Sequence, residues 1–263
     1  MIMKFLIAAT LSLCATFAQE SPQIPEPESY RATGPQALVI AYRCTPEQRA
    51  NLRRNMVETG VARFEAWKSG GILKDYHILF NSYLDSETYD MLALLEFAKY
   101  SDVARWHEVE RTSPGGLAED TLKLITSAVT TPIDPIRRKS AETLPERGHS
   151  VYFIVPSDYL IPTDAYIKYL DGYVIPQVNG WMGEDVLASY LIGIGRYATS
   201  RSWSSVFVLE YRDVDAFGKR EAIVAKVLER LKNDPEWKSL NDSKQKVRVE
   251  KQTIIAEELV VAQ

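Results

Sequence analysis

Cysteine is nearly missing from this sequence. Two occur, Cys14 and Cys44, and the first lies in an N-terminal segment that reads as a removable signal, so the mature chain would hold one thiol and could close no internal disulfide. Histidine is almost as scarce. His77, His107 and His149 are the three, and no HxxxH, CxxC or clustered carboxylate pattern suggests a metal. Neither a phosphate-cradling glycine loop nor a GxSxG nucleophile elbow is present. A basic excess is also lacking: 31 Lys and Arg stand against 35 Asp and Glu, a net charge of -4. Proteins that neutralise phosphates carry a basic stripe, so a nucleic-acid partner is not expected. Beyond the N-terminus no stretch approaches the roughly 18 consecutive apolar residues of a spanning helix, so no membrane segment is expected after signal cleavage.

What is there begins with the signal itself. Lys4 precedes an apolar run from Phe5 to Leu13, and small Ala18 offers a cleavage site, so residues 1–18 read as a signal peptide and the protein as exported, periplasmic or secreted. A lipid on Cys14 would tether the protein instead, but Leu13 stands where that reading wants a small residue. Residues 19–36, rich in proline and acids, read as an extended leader. Once Cys14 is removed, Cys44 has two readings, a small buried hydrophobe at a strand end or a reactive thiol.

The mature chain contains a repeat. Shifted by 114 positions without a gap, Trp67 falls on Trp181, Leu73 on Leu187, Tyr76 on Tyr190, Ile78 on Ile192, Tyr83 on Tyr197, Ser86 on Ser200, Leu95 on Leu209 and Glu96 on Glu210. These eight identities fall in 31 positions, where ordinary composition would give roughly two. The first unit spans residues 37–137, a charged linker 138–149, and the second unit 150–263. Each reads as strand, helix, strand, strand, helix, strand. In the first, a strand at Ala37 to Arg43 leads through a capping box at Thr45 to Gln48 into a helix ending at Gly70. Two strands follow at Lys74 to Leu84 and Met91 to Ala98, then a helix capped by Ser101 and a strand near Ala128 to Ile136. The second unit repeats the plan with strands at Val151 to Val155, Leu187 to Ala198 and Trp203 to Arg212. Its first helix starts near Thr163 and is expected to kink or end at Pro176. Asp215 is expected to cap a helix carrying Ile223, Val224, Val227, Leu228 and Leu231. A short turn at Pro235 to Leu240 leads to a last strand near Val247 to Ala256.

That order is the ferredoxin-like unit, in which both helices cover one face of a four-stranded antiparallel sheet. The bare face needs a partner, and two units in one chain can pack their open faces together as an intramolecular α/β barrel. The sequence resembles the dimeric α+β barrel superfamily, an α+β fold class. The likeness rests on element order, on the Leu95-Glu96-Phe97 and Leu209-Glu210-Tyr211 strands before capped helices, and on the Asp234-Pro235-Glu236-Trp237 turn. Members include antibiotic-biosynthesis-type monooxygenases and haem chlorite dismutases, so the resemblance implies a fold and leaves chemistry open. Two-unit chlorite dismutases hold haem through a histidine of the second unit, whereas residues 150–263 here contain none. No cofactor is therefore assigned, although His77 or His107 could in principle ligate iron.

Strand alternation places His77, Leu79, Asn81 and Tyr83 on one face. If the hairpin closes symmetrically between Asp85 and Asp90, Leu79 lies opposite Glu96, and Glu96 sits diagonally between His77 and Asn81. The matching face of the second unit carries Gly193, Gly195 and Tyr197, with Glu210 opposite Gly193; glycines within a strand suggest room for a ligand or close backbone. This gives a candidate cavity between the repeats. His77 and Glu96 form its acid and base pair, and Asn81, Tyr83, Tyr197 and Glu210 are its ligand-binding residues. The competing reading makes His77, Glu96 and Glu210 satisfied structural groups, which recurrence of the glutamate in both repeats favours. Trp67 and Trp181 read as core at a helix end.

Three functions are compatible with these features: binding of a small apolar or aromatic ligand between the repeats, a cofactor-free monooxygenase-like oxidoreductase, or a noncatalytic protein that oligomerises through its sheets. Whether the protein is an enzyme, and its oligomeric state, stay open at this level.

Overall fold

The computed structural model describes residues 36–197 and 201–261. The signal, all but the last residue of the leader, and Ser200 of the repeat match lie outside them. The first unit runs β1 (Ala37–Cys44), α1 (residues 49–69), β2 (Asp75–Asn81), β3 (Met91–Glu96), α2 (Tyr100–Thr112) and β4 (Ile125–Ser140). The second runs β5 (Val151–Tyr159), α3 (residues 163–183), β6 (Leu187–Gly195), β7 (Ser205–Tyr211), α4 (Arg220–Leu231), α5 (Pro235–Val247), β8 (Arg248–Glu250) and β9 (Ile254–Glu258).

The 114-residue offset extends beyond the residues that revealed it. β1 and β5 begin at Ala37 and Val151, and each following helix contains one widened π segment, Met56–Gly60 and Leu170–Val174, at the same offset. Pro176 therefore does not end α3. It falls at the start of the α-helical segment Ile175–Gly183 that follows the π turn, where a missing N–H costs least. The first unit has the same π segment without a proline, so the widened turn belongs to the fold.

Within each unit the strand order is last, first, third, second: β4-β1-β3-β2 and β9-β5-β7-β6. β4 pairs antiparallel with β6, and β2 with β9. Eight strands thus close into a barrel, and neither sheet keeps a free outer edge. The second unit's last strand is interrupted, since β8 and β9 lie in turn along the same edge of β5.

Two apolar layers follow from strand alternation. Tyr76, Ile78 and Phe80 pack beneath α1 and α2 with Leu52, Met56, Phe64, Val103 and Trp106. The opposite face joins Val39, Leu79, Leu92, Leu94 and Ile133 of the first unit to Tyr152, Ile154, Leu191, Val206 and Val208 of the second. The open faces of the two sheets therefore bury one another. Gly116, at φ +76, lets the loop after α2 pass under Phe64 and Trp106, which a Cβ would meet at 2.7 and 2.8 Å.

Several boundaries differ from the sequence reading. Asp213 rather than Asp215 caps the helical turn before α4, accepting from the Ala216 amide at 2.7 Å. The segment read as a short turn after Asp234 is α5, thirteen residues long, capped by Asp234 through the Glu236 and Trp237 amides. β4 runs on to Ser140 and absorbs the first residues of the expected linker.

Candidate functional site

The six residues singled out by sequence do not share a cavity. His77, Glu96 and Glu210 lie at the mouth of the barrel where β2 and β5 begin and where β3, β7 and β9 end. Asn81, Tyr83 and Tyr197 lie at the opposite mouth, with Tyr83 and Tyr197 64% and 72% exposed. Between the mouths the space lined by Val39, Leu79, Leu92, Ile154 and Val206 amounts to about 20 Å³, about enough for one water. Gly193 gives way to Ile133, whose Cδ1 lies 2.8 Å from where a Cβ would stand. The glycine makes room for the neighbouring repeat.

The hairpin register explains part of the difference. Leu79 pairs with Leu92 and Asp75 with Glu96, four residues from the symmetric closure. Asn81 holds this register: its amide nitrogen donates to Thr88 Oγ1 at 3.0 Å and the Tyr89 carbonyl at 3.1 Å. Its Oδ1 accepts from the Tyr83 amide. In the second unit Glu210 pairs with Ser189 rather than Gly193.

The carboxylate beside His77 is accordingly Glu258 of β9 and not Glu96. His77 Nδ1 stands 2.9 Å from Glu258 Oε1 and 3.2 Å from the Tyr152 hydroxyl. Arg147, from the linker, donates to the same carboxylate oxygen at 2.6 and 2.9 Å and to the Tyr76 carbonyl at 2.6 Å. Glu96 pairs with Arg138 at 2.6 Å, and Glu210 accepts from Ser150 and Ser189 at 2.8 and 2.5 Å. These groups form a satisfied polar rim, with Glu258 only 4% exposed. Glu258, Arg147 and Tyr152 were not singled out by sequence. The alternation Ile254, Ala256, Glu258 is the signal that aims Glu258 inward. Burial and then Asp90 push the half-buried Cys44 thiol up to about 12, which disfavours the reactive thiolate.

A sizeable chamber lies in the second unit, between the outer face of its sheet and its helices. It holds about 610 Å³ and is lined by Phe153, Val155, Phe207 and Leu209 from the sheet. Tyr169, Tyr173, Val178 and Trp181 of α3 and Val224 and Leu228 of α4 complete its apolar walls. Lys244 and Gln245 of α5, with Val249 and Glu250 beyond it, stand exposed at the rim. The volume falls within the usual range for small-molecule pockets. Carried outward, the 114-residue offset sets Phe64 against Val178 and Trp106 against Arg220. In the first unit Phe64, Trp67 and Trp106 fill this level, with centroids 5.1 to 6.2 Å apart. In the second, valine and a thin arginine chain cannot, and Trp181 becomes wall in place of core.

Two guanidiniums border the chamber. Arg220 lies over the Phe153 ring at 4.3 Å and Arg248 over the Phe207 ring at 4.5 Å. Of the buried side-chain atoms that lack a hydrogen-bond partner among the described residues, four belong to residues lining the chamber: Arg220 Nε, Arg248 Nη1, Trp181 Nε1 and the Tyr169 hydroxyl.

No family model matches the sequence, and no curated protein resembles it at a significant level. Solved structures do resemble it in fold. A candidate monooxygenase from Lactobacillus acidophilus NCFM is 10% identical, with a TM-score of 0.53 over 88% of this chain and 96% of that one. An anthrone oxidase-like protein is 11% identical, with a TM-score of 0.52 over 87% and 92%. A mutant chlorite dismutase from Candidatus Nitrospira defluvii, in complex with cyanide, is 8% identical, with a TM-score of 0.50 over 86% and 91%. The chain thus has the dimeric α+β barrel fold, with both ferredoxin-like halves in one polypeptide. A haem held through a histidine does not fit the chamber, whose lining contains no histidine, cysteine or methionine. His107 is exposed on α2, and His77 Nδ1 is bound to Glu258.

Proposed function

We propose that this protein is an exported binder of one small apolar or aromatic molecule, held beneath the helices of its second unit. The chamber of about 610 Å³ in one of two like halves supports this, set against about 20 Å³ inside the barrel. The walls are aromatic and aliphatic, and the rim at Lys244, Gln245 and Glu250 is polar, as a site for a mostly apolar ligand requires. Titration with the neutral fluorophore N-phenyl-1-naphthylamine tests the reading. Saturable one-to-one binding is expected, and Val178→Phe, which installs the ring that the first unit carries at Phe64, is expected to weaken it at least about tenfold by filling the chamber. Absence of saturable binding to the unaltered protein would overturn the proposal.

The alternative of a cofactor-free monooxygenase-like oxidoreductase draws on the neighbours named as a monooxygenase and an anthrone oxidase-like protein. It requires oxygen consumption with a phenolic substrate. His77 does not line the chamber, so under this reading Tyr169, with its buried hydroxyl, takes the place beside substrate. Export is tested separately by N-terminal sequencing of the secreted or periplasmic protein, which is expected to begin at or near Gln19.

A further inference from the structure

The balance of charge and donors around the chamber is lopsided. Arg220, Arg248 and Lys244 border it; Glu250, the acidic residue of its described lining, already accepts from Arg248 Nη2 at 2.6 Å, and Glu221 beside the lining accepts from Arg220 Nη1. What remains uncommitted is on the donor side, Arg248 Nη1 and Arg220 Nε among them, in side chains 13% and 23% exposed. The Tyr169 hydroxyl, on a residue 3% exposed, is a third. Buried donors without acceptors are costly, and a guanidinium most of all. Each guanidinium lies flat over a phenylalanine of the sheet, and β5 and β7 pair Val155 with Phe207 and Phe153 with Leu209. The two rings therefore sit diagonally on one floor, with both cations above it.

From this we infer that the ligand is an amphiphilic carboxylate, with its apolar body against Tyr169, Tyr173 and Trp181 and its anionic head on the Arg220 and Arg248 side. A carboxylate supplies acceptors to the donor positions that Glu221 and Glu250 leave open, in a poorly solvated place. A neutral apolar molecule of the same size would fill the volume and leave the guanidinium donors bare. The body can be an aromatic ring system or an alkyl chain; the head group is common to both.

This inference rests on the chamber being a ligand site, and its test separates the two. Calorimetric titration of the mature protein at pH 7 with 2-naphthoate and with uncharged 2-naphthamide compares one ring system with and without the charge. The acid is expected to bind at least about tenfold more tightly. Separately made R248Q and R220Q variants are expected to reduce that advantage to about threefold or less, and their melting temperatures report whether each remains folded. Laurate binding with the same dependence on Arg248 supports the inference with an alkyl body. Equal affinity for acid and amide would overturn the inference and leave the ligand-binding reading standing. An advantage that survives in both variants would overturn the assignment of the head to the arginines. Should none of these probes nor N-phenyl-1-naphthylamine bind, the ligand-binding reading itself falls.

Discussion

Glu258 takes bonds from two cations at once, and its ionisation is tied to theirs. Burial alone would raise its carboxyl, but His77 and Arg147 outweigh burial and hold it below its ordinary 4.5. Burial alone would lower His77, and Glu258 with Asp75 outweighs it, so the imidazole titrates above its ordinary 6.5. The signs then follow. A depressed carboxyl contributes stability that is present above its unfolded pKa and lost as pH falls through the folded value. A raised imidazole contributes stability that is full below its unfolded pKa and lost as pH rises through the folded value. Both contributions are complete between roughly pH 4.5 and 6.5. Denaturant unfolding across pH should therefore show this support greatest in that window, and Glu258→Gln should flatten the dependence. Removing the carboxylate with Glu258→Ala is expected to cost about 1–3 kcal/mol, because it leaves the half-buried His77 and Arg147 without their shared acceptor. In NMR titration the His77 midpoint should lie above 6.5 and move down in the Gln variant. A midpoint unmoved by that substitution would refute the pairing.

The same helix pair is solid in one half and hollow in the other, and that contrast belongs to the elements. Trp106 of α2 is fully buried against Phe64 and Trp67, so Trp106→Ala is expected to cost about 3–5 kcal/mol in urea unfolding. At the corresponding place on α4, Arg220→Ala opens no new core cavity, and a cost of about 1 kcal/mol or less is expected. Similar costs at both places would contradict the reading of the second half as hollow. Element order and the repeat were legible in sequence because strand alternation and helical spacing are local. The hairpin register was not, since Asn81 and its bonds to Thr88 and Tyr89 set it four residues from symmetry. Nor was α5, whose polar sequence conceals a helix capped by Asp234 and anchored through Trp237, which donates to the Tyr173 carbonyl at 3.0 Å. The site suffered most. Alternation shows which face a residue such as Leu79 takes within its strand, but Tyr83 and Tyr197 lie past the ends of theirs, and which of two mouths each residue reaches depends on the pairing of distant strands.

For the molecule as a whole, closure of the sheet makes the halves mutually dependent. Leu79, Leu92 and Leu94 have as their packing partners Tyr152, Ile154, Val206 and Val208, and two strand pairings cross between the units. A single calorimetric transition is expected, with van't Hoff and calorimetric enthalpies in agreement. Two resolved transitions would mean that the halves melt as separate bodies.

Two identical subunits related by a twofold axis must share every virtue and every flaw, so a hollow in one appears in both. Tethering the pair releases them from that obligation. The half with Phe64 and Trp106 can be selected for rigidity, while its sibling, with Val178 and Arg220 in their stead, is free to specialise in accommodating guests. Division of labour is thus open to this chain in a way that it is not to a symmetric pair.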